Sequence, residues 1–253
     1  MAENPVVTSV KKINTCINMN LNNNNINLQE LINGNIEELS DGALTNINSY
    51  AFRYCTSLTS IDLPVCTSIG SSAFNSCTKL TSINVPACTN INSLAFYRCT
   101  ALNSINLPAC TRIDYSAFDS CTKLKSINVP VCTIIANVAF DSCESLTSKD
   151  LPACTSIYHG AFMNCTKLTS INLPVCTSIS SSVFNSCTKL TSIKLANASK
   201  ICTLSNSDAF KNTPIANKAG YIYVPDELVE QYKKATNWSV YANQIKPLSE
   251  YTE

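Results

Sequence analysis

Residues 58–79 read LTSIDLPVCTSIGSSAFNSCTK, and the same 22-residue pattern recurs along most of the 253-residue chain. Cysteine marks the pattern at intervals of eleven residues, in two sets that each have a period of 22. The first set is Cys55, Cys77, Cys99, Cys121, Cys143, Cys165 and Cys187, and the second is Cys66, Cys88, Cys110, Cys132, Cys154 and Cys176. A fixed repeat of this length is typical of a solenoid, in which each unit stacks only on its neighbours.

Each repeat combines a strand pattern with a turn pattern. Ser60–Leu63 alternates outward and inward side chains, as a short strand does, and Pro64 ends the strand because it lacks a backbone N–H. Ala73-Phe74 and Cys77 then suit one helical or 3₁₀ turn that crosses back. The residues from Leu58 to Ile69 read L-x-x-I-x-L-x-x-C-x-x-I, the strand-and-turn pattern of a leucine-rich repeat. We therefore predict an α/β solenoid of the leucine-rich repeat type with 22-residue rungs. It has a parallel sheet on one face, short helical or 3₁₀ turns on the other, and capped ends.

Stacking of equal rungs is expected to place identical residues in columns. The phenylalanines predict a continuous aromatic spine of Phe52, Phe74, Phe96, Phe118, Phe140, Phe162, Phe184 and Phe210. Isoleucines line the inside of the sheet, and Lys149 interrupts their column. Either its ammonium extends past the sheet to water, or it is a functional buried lysine paired with Glu144.

Three interpretations of the cysteines compete. Disulfides within a column are disfavoured because stacked identical residues keep their Cβ atoms about 4.8 Å apart. A row of sulfurs cannot surround a zinc ion, and no Cys-x-x-Cys motif occurs. The favoured interpretation is a small apolar side chain whose thiol donates weakly to a turn carbonyl. Cys16 and Cys202 lie outside the columns, and free thiols in such number indicate a reducing or anaerobic setting.

Composition divides the chain into three parts: an Asn-rich capping segment (1–35), the repeat solenoid (36–212) and a strand-helix cap (213–253). In the last part Tyr221–Val224 alternates like a strand, and Asp226 is expected to cap the helix that follows. That helix is expected to end near Asn237, with a further short turn through Trp238 and Tyr241.

Charge and residue types argue against several classes of function. Charged residues make up 14% of the chain and the formal net charge is +1, so we expect no nucleic acid partner. No apolar run is long enough to insert into a membrane, and Met1–Cys16 lacks the apolar stretch of a secretory signal. With one histidine, five glycines and isolated carboxylates, we expect no catalytic, metal or cofactor site.

Differences between rungs identify candidate binding residues. The expected sheet face carries a uniform ladder of Ser and Asn, whereas variation concentrates after Phe and after the second Ile of each rung. Tyrosine and arginine, which are enriched at interface hot spots, occur there among Ser and Asn. The candidates for partner binding are Arg53, Tyr54, Tyr97, Arg98, Arg112, Tyr115, Tyr158 and His159. Neutral drift at exposed turns is the alternative explanation.

The repeat resembles the BspA-like class of leucine-rich repeats. Ala73-Phe74, Cys77-Thr78, Leu80, Ile83 and Val85-Pro86 carry the resemblance, which covers about residues 36–212. Tyr221–Tyr251 resembles the closing segment of such proteins from gut bacteria and prophages. The resemblance implies a non-enzymatic surface or adhesion protein that binds host or matrix proteins. This chain departs from it by lacking a secretion signal and by having thiols at both turn positions.

Two hypotheses on function follow. The first is a binding or adhesion module that recognises a protein or glycan partner on a host or cell surface. The second is a structural protein, either a spacer or a self-assembling homo-oligomer or filament such as a fibre or phage virion component. The resemblance implies a cell-surface, extracellular or virion location, and the residues leave the cytoplasm open.

Overall fold

The computed structural model describes residues 9–10, 38–147 and 150–252. Most of the predicted capping segment 1–35 and the interrupting Lys149 lie outside these residues. In chain order the strands are β1 (Ser9–Val10), β2 (Glu38–Ser40), β3 (Asn46–Ile47), β4 (Ser60–Asp62), β5 (Ser68–Ile69), β6 (Ser82–Asn84), β7 (Asn90–Ile91), β8 (Ser104–Asn106), β9 (Arg112–Ile113), β10 (Ser126–Asn128), β11 (Ile134–Ile135), β12 (Ser156–Ile157), β13 (Ser170–Asn172), β14 (Ser178–Ile179), β15 (Ser192–Lys194), β16 (Thr203–Leu204), β17 (Tyr221–Val224) and β18 (Ile245–Pro247). One α-helix, α1 (Val229–Lys234), is described, with 3₁₀ helices at Ser207–Phe210, Asp226–Leu228, Ser239–Gln244 and Leu248–Glu250.

Two parallel sheets run along the solenoid. The predicted sheet contains the three-residue strands and, at its C-terminal end, β17 and β18. It forms three sections, β1-β2-β4-β6, β8-β10 and β13-β15-β17-β18. Only β1 is antiparallel to its neighbour. The second sheet, which the sequence analysis did not anticipate, joins the two-residue strands in the order β3-β5-β7-β9-β11-β12-β14-β16. Partners lie 22 residues apart through most of both sheets, as in Ile61 with Ile83 and Ile69 with Ile91.

The third side of each rung is a series of tight turns around the Ala-Phe pair. The N–H of Arg53 donates to the carbonyl of Tyr50 at 3.1 Å, an i to i−3 bond of the 3₁₀ type that was predicted. The N–H of Phe52 instead donates to the carbonyl of Ala73 in the next rung at 2.7 Å. Because alternate N–H groups bond to the neighbouring rung, the turns depend on stacking as much as the strands do.

The predicted aromatic spine is confirmed. Seven successive pairs from Phe52 to Phe210 have ring centroids 5.1–5.9 Å apart and interplanar angles of 1–16°. The last ring, Phe210, lies 6.0 Å from the ring of Trp238 and meets Tyr241 edge-on at 5.3 Å. The C-terminal segment therefore covers the end of the spine with its own aromatic rings.

The C-terminal segment is tied to the solenoid by hydrogen bonds as well as by rings. Strand β17 forms where expected and pairs with β15 in parallel. The indole N–H of Trp238 donates to the carbonyl of Cys202 at 2.7 Å, and the N–H of Cys202 donates to the Tyr232 hydroxyl oxygen at 2.8 Å. Both aromatic side chains are buried, so these bonds satisfy polar groups that water cannot reach.

Two details of this segment differ from expectation. Helix α1 ends at Lys234 rather than near Asn237. The carboxylate of Asp226 does not cap the helix but accepts a hydrogen bond from the N–H of Ser249 at 3.1 Å. Hydrogen bonding to the side chain and then to the backbone of Ser249 lowers the pKa of Asp226. The capping prediction was wrong because a backbone donor distant in sequence competes for the same carboxylate.

The turns hold non-glycine residues in the left-handed region of φ. One such column lies two residues before the phenylalanine of each rung, where Leu94 has φ 61° and Val138 has φ 49°. Glycine fills this column at Gly160, where φ is 61°. Left-handed φ costs roughly 1–2 kcal/mol for a residue with a Cβ atom, so packing between rungs holds the other members of the column in a strained conformation.

Replacing Gly160 by alanine is expected to lower the free energy of unfolding by about 1–2 kcal/mol. The new Cβ would take up a left-handed φ and lie 3.0 Å from Cγ1 of Val138. Urea denaturation of the wild type and the variant measures the loss. Gly42→Ala is the matched control, because no heavy atom lies within 4 Å of its added Cβ. We expect this control to be neutral or stabilised by up to about 1 kcal/mol; equal losses in both variants would contradict the strain argument.

Candidate functional site

The eight predicted binding residues fall into two groups on the surface. Arg112 lies on β9, and Tyr115 follows that strand by two residues. Tyr158 and His159 come directly after β12. The remaining four residues lie in the turns that follow Phe52 and Phe96: Arg53, Tyr54, Tyr97 and Arg98. In each case a fully buried isoleucine or phenylalanine anchors the backbone, so the neighbouring side chains project outward.

The structure brings three predicted residues together around one groove of about 280 Å³. Arg112, Tyr115 and Tyr158 line it, together with Asp114, Ala136 and Asn137, which were not among the eight candidates. We call it the Tyr115–Tyr158 groove. Ala136 occupies the same column as Asp114 and Tyr158 one rung to either side, and its short side chain leaves the gap. The groove thus arises from a small residue between two rungs with larger ones.

The walls of the groove combine aromatic and charged groups. Tyr115 is 51% exposed and Tyr158 is 44% exposed, whereas Ala136 is 8% exposed. The guanidinium Nε of Arg112 lies 2.8 Å from Oδ1 of Asp114. An exposed ion pair of this kind adds about 0–1 kcal/mol to stability. Its main consequence is to orient the arginine, whose two terminal nitrogens make no hydrogen bond to the described residues.

The other arginine–tyrosine pairs do not line the groove. Arg53 lies between two rings, with its Cζ 4.6 Å from the centroid of Tyr54 and 5.6 Å from that of Tyr50. Tyr50 was not among the predicted residues. The Cζ of Arg98 lies 5.0 Å from the Tyr97 centroid. These cation–π contacts form two further clusters on the turn side of the solenoid.

His159 also lies outside the groove lining. Its Nδ1 is 2.8 Å from the hydroxyl oxygen of Ser181, one rung further along. Within the described chain, no titratable group is hydrogen-bonded to the imidazole. The geometry therefore assigns His159 no chemistry beyond this inter-rung contact.

Two aspartates near Arg98 form an acidic patch that sequence reasoning missed. Asp119 and Asp141 occupy the column directly after phenylalanine. Burial raises the pKa of Asp119 above its usual range, and the neighbouring charge of Asp141 adds to the effect, while hydroxyls from Ser120 and Ser116 and the charge of Arg98 oppose it. The only sign of this pair in the sequence was that the residues directly after phenylalanine vary between rungs.

The outward face of the first sheet is the polar ladder that was expected. The amide of Asn84 donates to Oδ1 of Asp62 at 2.8 Å, and the amide of Asn128 donates to Oδ1 of Asn106 at 2.8 Å. Threonines form a second ladder along the solenoid, in which each hydroxyl donates to the carbonyl of the threonine one rung before, as in Thr89 to Thr67 at 3.3 Å. These bonds satisfy polar groups between rungs.

The thiols act as weak donors, as predicted. In the seven-member column, the thiols from Cys77 to Cys187 each donate to a phenylalanine carbonyl with Sγ–O distances of 3.0–3.2 Å. In the other column each thiol donates to the carbonyl two residues later, at 3.2–3.6 Å. Desolvation by burial raises the pKa of Cys110 to about 11 and that of Cys88 and Cys132 to about 12.

Two cysteines depart from this pattern. Cys55 is disulfide-bonded, so the prediction of a free thiol was wrong at the first rung. The other column cysteines are free, so the partner of Cys55 is not a stacked neighbour. The argument from Cβ separations concerned disulfides between stacked neighbours only. The thiol of Cys202 donates to Sγ of Cys176 at 3.9 Å; this contact lowers the pKa of Cys176 and raises that of Cys202.

Within residues 38–147 and 150–252, no group of three or more His, Cys, Asp or Glu side chains is placed to hold a metal ion. No helix in the described part of the chain is long and apolar enough to cross a bilayer.

Comparison with known proteins gives a family and a fold. The model of the BspA type leucine rich repeat region matches residues 24–147 and 111–230, in six copies. A T. pallidum leucine rich repeat protein is 23% identical, with 78% of this chain and 82% of that chain covered and a TM-score of 0.52. A leucine rich cell surface protein from Faecalibacterium prausnitzii is 23% identical, with 76% and 70% covered and a TM-score of 0.51.

A leucine-rich repeat protein from Bacteroides ovatus is 22% identical with a TM-score of 0.42; 76% of this chain is covered, and the chain spans only 66% of that protein. No curated protein matches the chain. At these identities the likeness to solved structures concerns the fold alone.

Alkaline pH is expected to unfold the protein. Below about pH 8.5 a buried thiol with a raised pKa is protonated in both the folded and the unfolded protein, and its burial contributes fully to stability. Above that pH the thiol ionises in the unfolded protein only, and this stability is lost. Each such thiol then costs about 1.4 kcal/mol per pH unit. Thermal unfolding between pH 7 and 10 should show a midpoint that falls steeply above about pH 9. Cys121→Ala removes one buried thiol and should flatten the slope; a midpoint independent of pH would contradict the assignment.

Proposed function

The chain belongs to the BspA-type leucine-rich repeat family, and from this premise we propose that it is a non-enzymatic binding protein. Its site is the Tyr115–Tyr158 groove, and its partner is a protein presented at a cell surface. Leucine-rich repeat proteins generally mediate protein interactions, which supports the class of function. The groove carries the proposal, because it is the one place where three of the eight candidate residues converge.

The composition of the groove suits a protein partner. Tyrosine contributes a large contact area while fixing few rotatable bonds, and Tyr and Arg are enriched at interface hot spots. Tyr115 and Tyr158 offer two half-exposed rings on either side of the buried Ala136, so a partner side chain of moderate size would contact aromatic groups on both sides. The terminal nitrogens of Arg112 remain available to a carboxylate or a backbone carbonyl.

The scaffold holds the groove in a fixed shape. Its residues lie beside β9, β11 and β12, which pair in parallel with each other in register. The isoleucines Ile113, Ile135 and Ile157 beneath them have no exposed surface. A site held this rigidly loses little conformational entropy on binding, which favours affinity.

The cell-surface setting rests on the family and on the fold shared with the Faecalibacterium cell surface protein. For the alternative of a self-assembling filament, an open terminal rung would be needed for end-to-end growth. At the C-terminal end, Trp238 and Tyr241 cover the last ring of the spine. This covering favours a binding protein over a filament that grows from that end.

A displayed random-peptide library panned on the folded wild-type protein tests the proposal. The enriched peptides are then tested against the double variant Tyr115→Ala/Tyr158→Ala, whose substituted side chains are half-exposed and so should not disturb folding. Enriched peptides are expected to bind the wild type at least about tenfold more tightly than the double variant, a difference of about 1.4 kcal/mol, measured by calorimetry.

Val131→Ala is the matched control, because Val131 is 42% exposed on a nearby turn and does not line the groove. It should bind the peptides as the wild type does. Peptides that bind the wild type and the double variant equally would refute the groove as the site. If Arg53→Ala abolishes peptide binding and the double variant does not, the binding site is instead the cluster of Tyr50, Arg53 and Tyr54.

A further inference from the structure

The polar ladder of the first sheet ends on two tyrosines. Tyr221 pairs with Ser192, and Tyr223 pairs with Lys194, so both rings stand on the outward face of β17. In the preceding rungs the same two columns hold Ser and then Asn, Asp or Lys. Tyr221 is 43% exposed, and its ring centroid lies 6.3 Å from that of Tyr223. An aromatic surface thus follows a hydroxyl-rich one directly.

A third tyrosine closes one side of this surface. The ring of Tyr251 meets Tyr223 edge-on at 4.9 Å, and the ammonium of Lys194 lies 5.0 Å from its centroid. Lys246 lies 5.9 Å from the centroid of Tyr221 and forms an ion pair with Glu250 at 2.8 Å. These contacts hold the last residues of the described chain against the sheet, so the surface becomes a cleft.

The cleft, which we call the Tyr221 cleft, has a volume of about 380 Å³. This falls within the range of small-molecule sites, about 300–1,000 Å³. Its lining contains no charged side chain and consists of Thr169, Ser170, Thr191, Ser192, Ala219, Tyr221, Tyr223, Tyr251 and Thr252. Eight of these nine residues carry a hydroxyl, and three carry an aromatic ring.

The hydroxyls offer both donors and acceptors to a ligand. Thr191 donates its proton to the carbonyl of Thr169 at 3.2 Å, which leaves its oxygen as an acceptor. The hydroxyls of Ser170 and Ser192 form no hydrogen bond with any other described residue. Each can therefore donate one hydrogen bond and accept others.

We propose that the Tyr221 cleft binds a neutral saccharide. A pyranose ring has an apolar face of C–H groups, which suits the negative face of an aromatic ring, and a rim of hydroxyls that both donate and accept hydrogen bonds. Tyr221 supplies the exposed ring, and Ser170 and Ser192 supply the polar partners beside it. The inference concerns a second site and is independent of the partner bound at the Tyr115–Tyr158 groove.

Other ligands fit this lining less well. An anionic ligand would require a cation directed into the cleft, but the ammonium groups of Lys194 and Lys246 lie against tyrosine rings. A purely apolar ligand would leave the serine hydroxyls without partners, which is unfavourable. A proline-rich peptide is the nearest competitor, since aromatic grooves also bind polyproline segments.

Saturation-transfer NMR with three neutral tetrasaccharides tests the inference: β-1,4-linked glucose, α-1,4-linked glucose and β-1,4-linked N-acetylglucosamine. A polyproline peptide of about ten residues is the competing probe. At least one sugar is expected to bind the wild type with a dissociation constant below about 10 mM. Tyr221→Ala should weaken this binding at least about tenfold, whereas Tyr221→Phe, which keeps the ring, should change it less than about threefold.

The groove variant Tyr115→Ala/Tyr158→Ala should bind the same sugar as the wild type does, which separates this test from that of the proposed function. Thermal unfolding checks that Tyr221→Ala is folded, and Ser192→Ala offers a second, milder change in the same cleft. The assignment is overturned if none of the sugars binds, if Tyr221→Ala binds as tightly as the wild type, or if only the polyproline peptide binds.

Discussion

Equal rung length is the constraint on which the rest of the structure depends. Because most turns of the solenoid use 22 residues, most side chains contact their own equivalents one rung away. Phenyl rings stack on phenyl rings, and each thiol from Cys77 to Cys187 donates to the carbonyl of the equivalent phenylalanine. A packing solution that works between two rungs therefore works between all of them. An isolated rung has no such partner, so the hydrophobic core forms only when neighbouring rungs stack.

The same constraint decides where function is found. Inside the solenoid a change in one rung disturbs two interfaces, so the columns remain uniform. Outward positions face water and can vary without that cost. One recess forms where a small residue stands between larger ones, as Ala136 does between Asp114 and Tyr158. The Tyr221 cleft has a different origin, because there the ladder stops and the C-terminal segment folds back against the sheet.

Sequence reasoning predicted the repeating columns of side chains, and it missed several contacts that occur once. The Phe spine and the thiol-to-carbonyl bonds follow from register alone. The hydrogen bond between Asp226 and Ser249 and the cleft at Tyr221 each depend on a contact distant in sequence. Of the eight candidate residues, only Arg112, Tyr115 and Tyr158 converge, because grouping depends on which columns become neighbours on the surface.

The amino-acid sequence alone determined the solenoid, its parallel strands and the composition of its interior, because a strict period leaves one way of stacking that buries every apolar column. Only the tertiary structure decided that a second sheet forms, that Ala136 opens a groove, and that Tyr251 lies against Tyr223. Those features depend on distances between side chains of different columns. A period states which residues share a column, but the path of the backbone sets how far apart the columns lie.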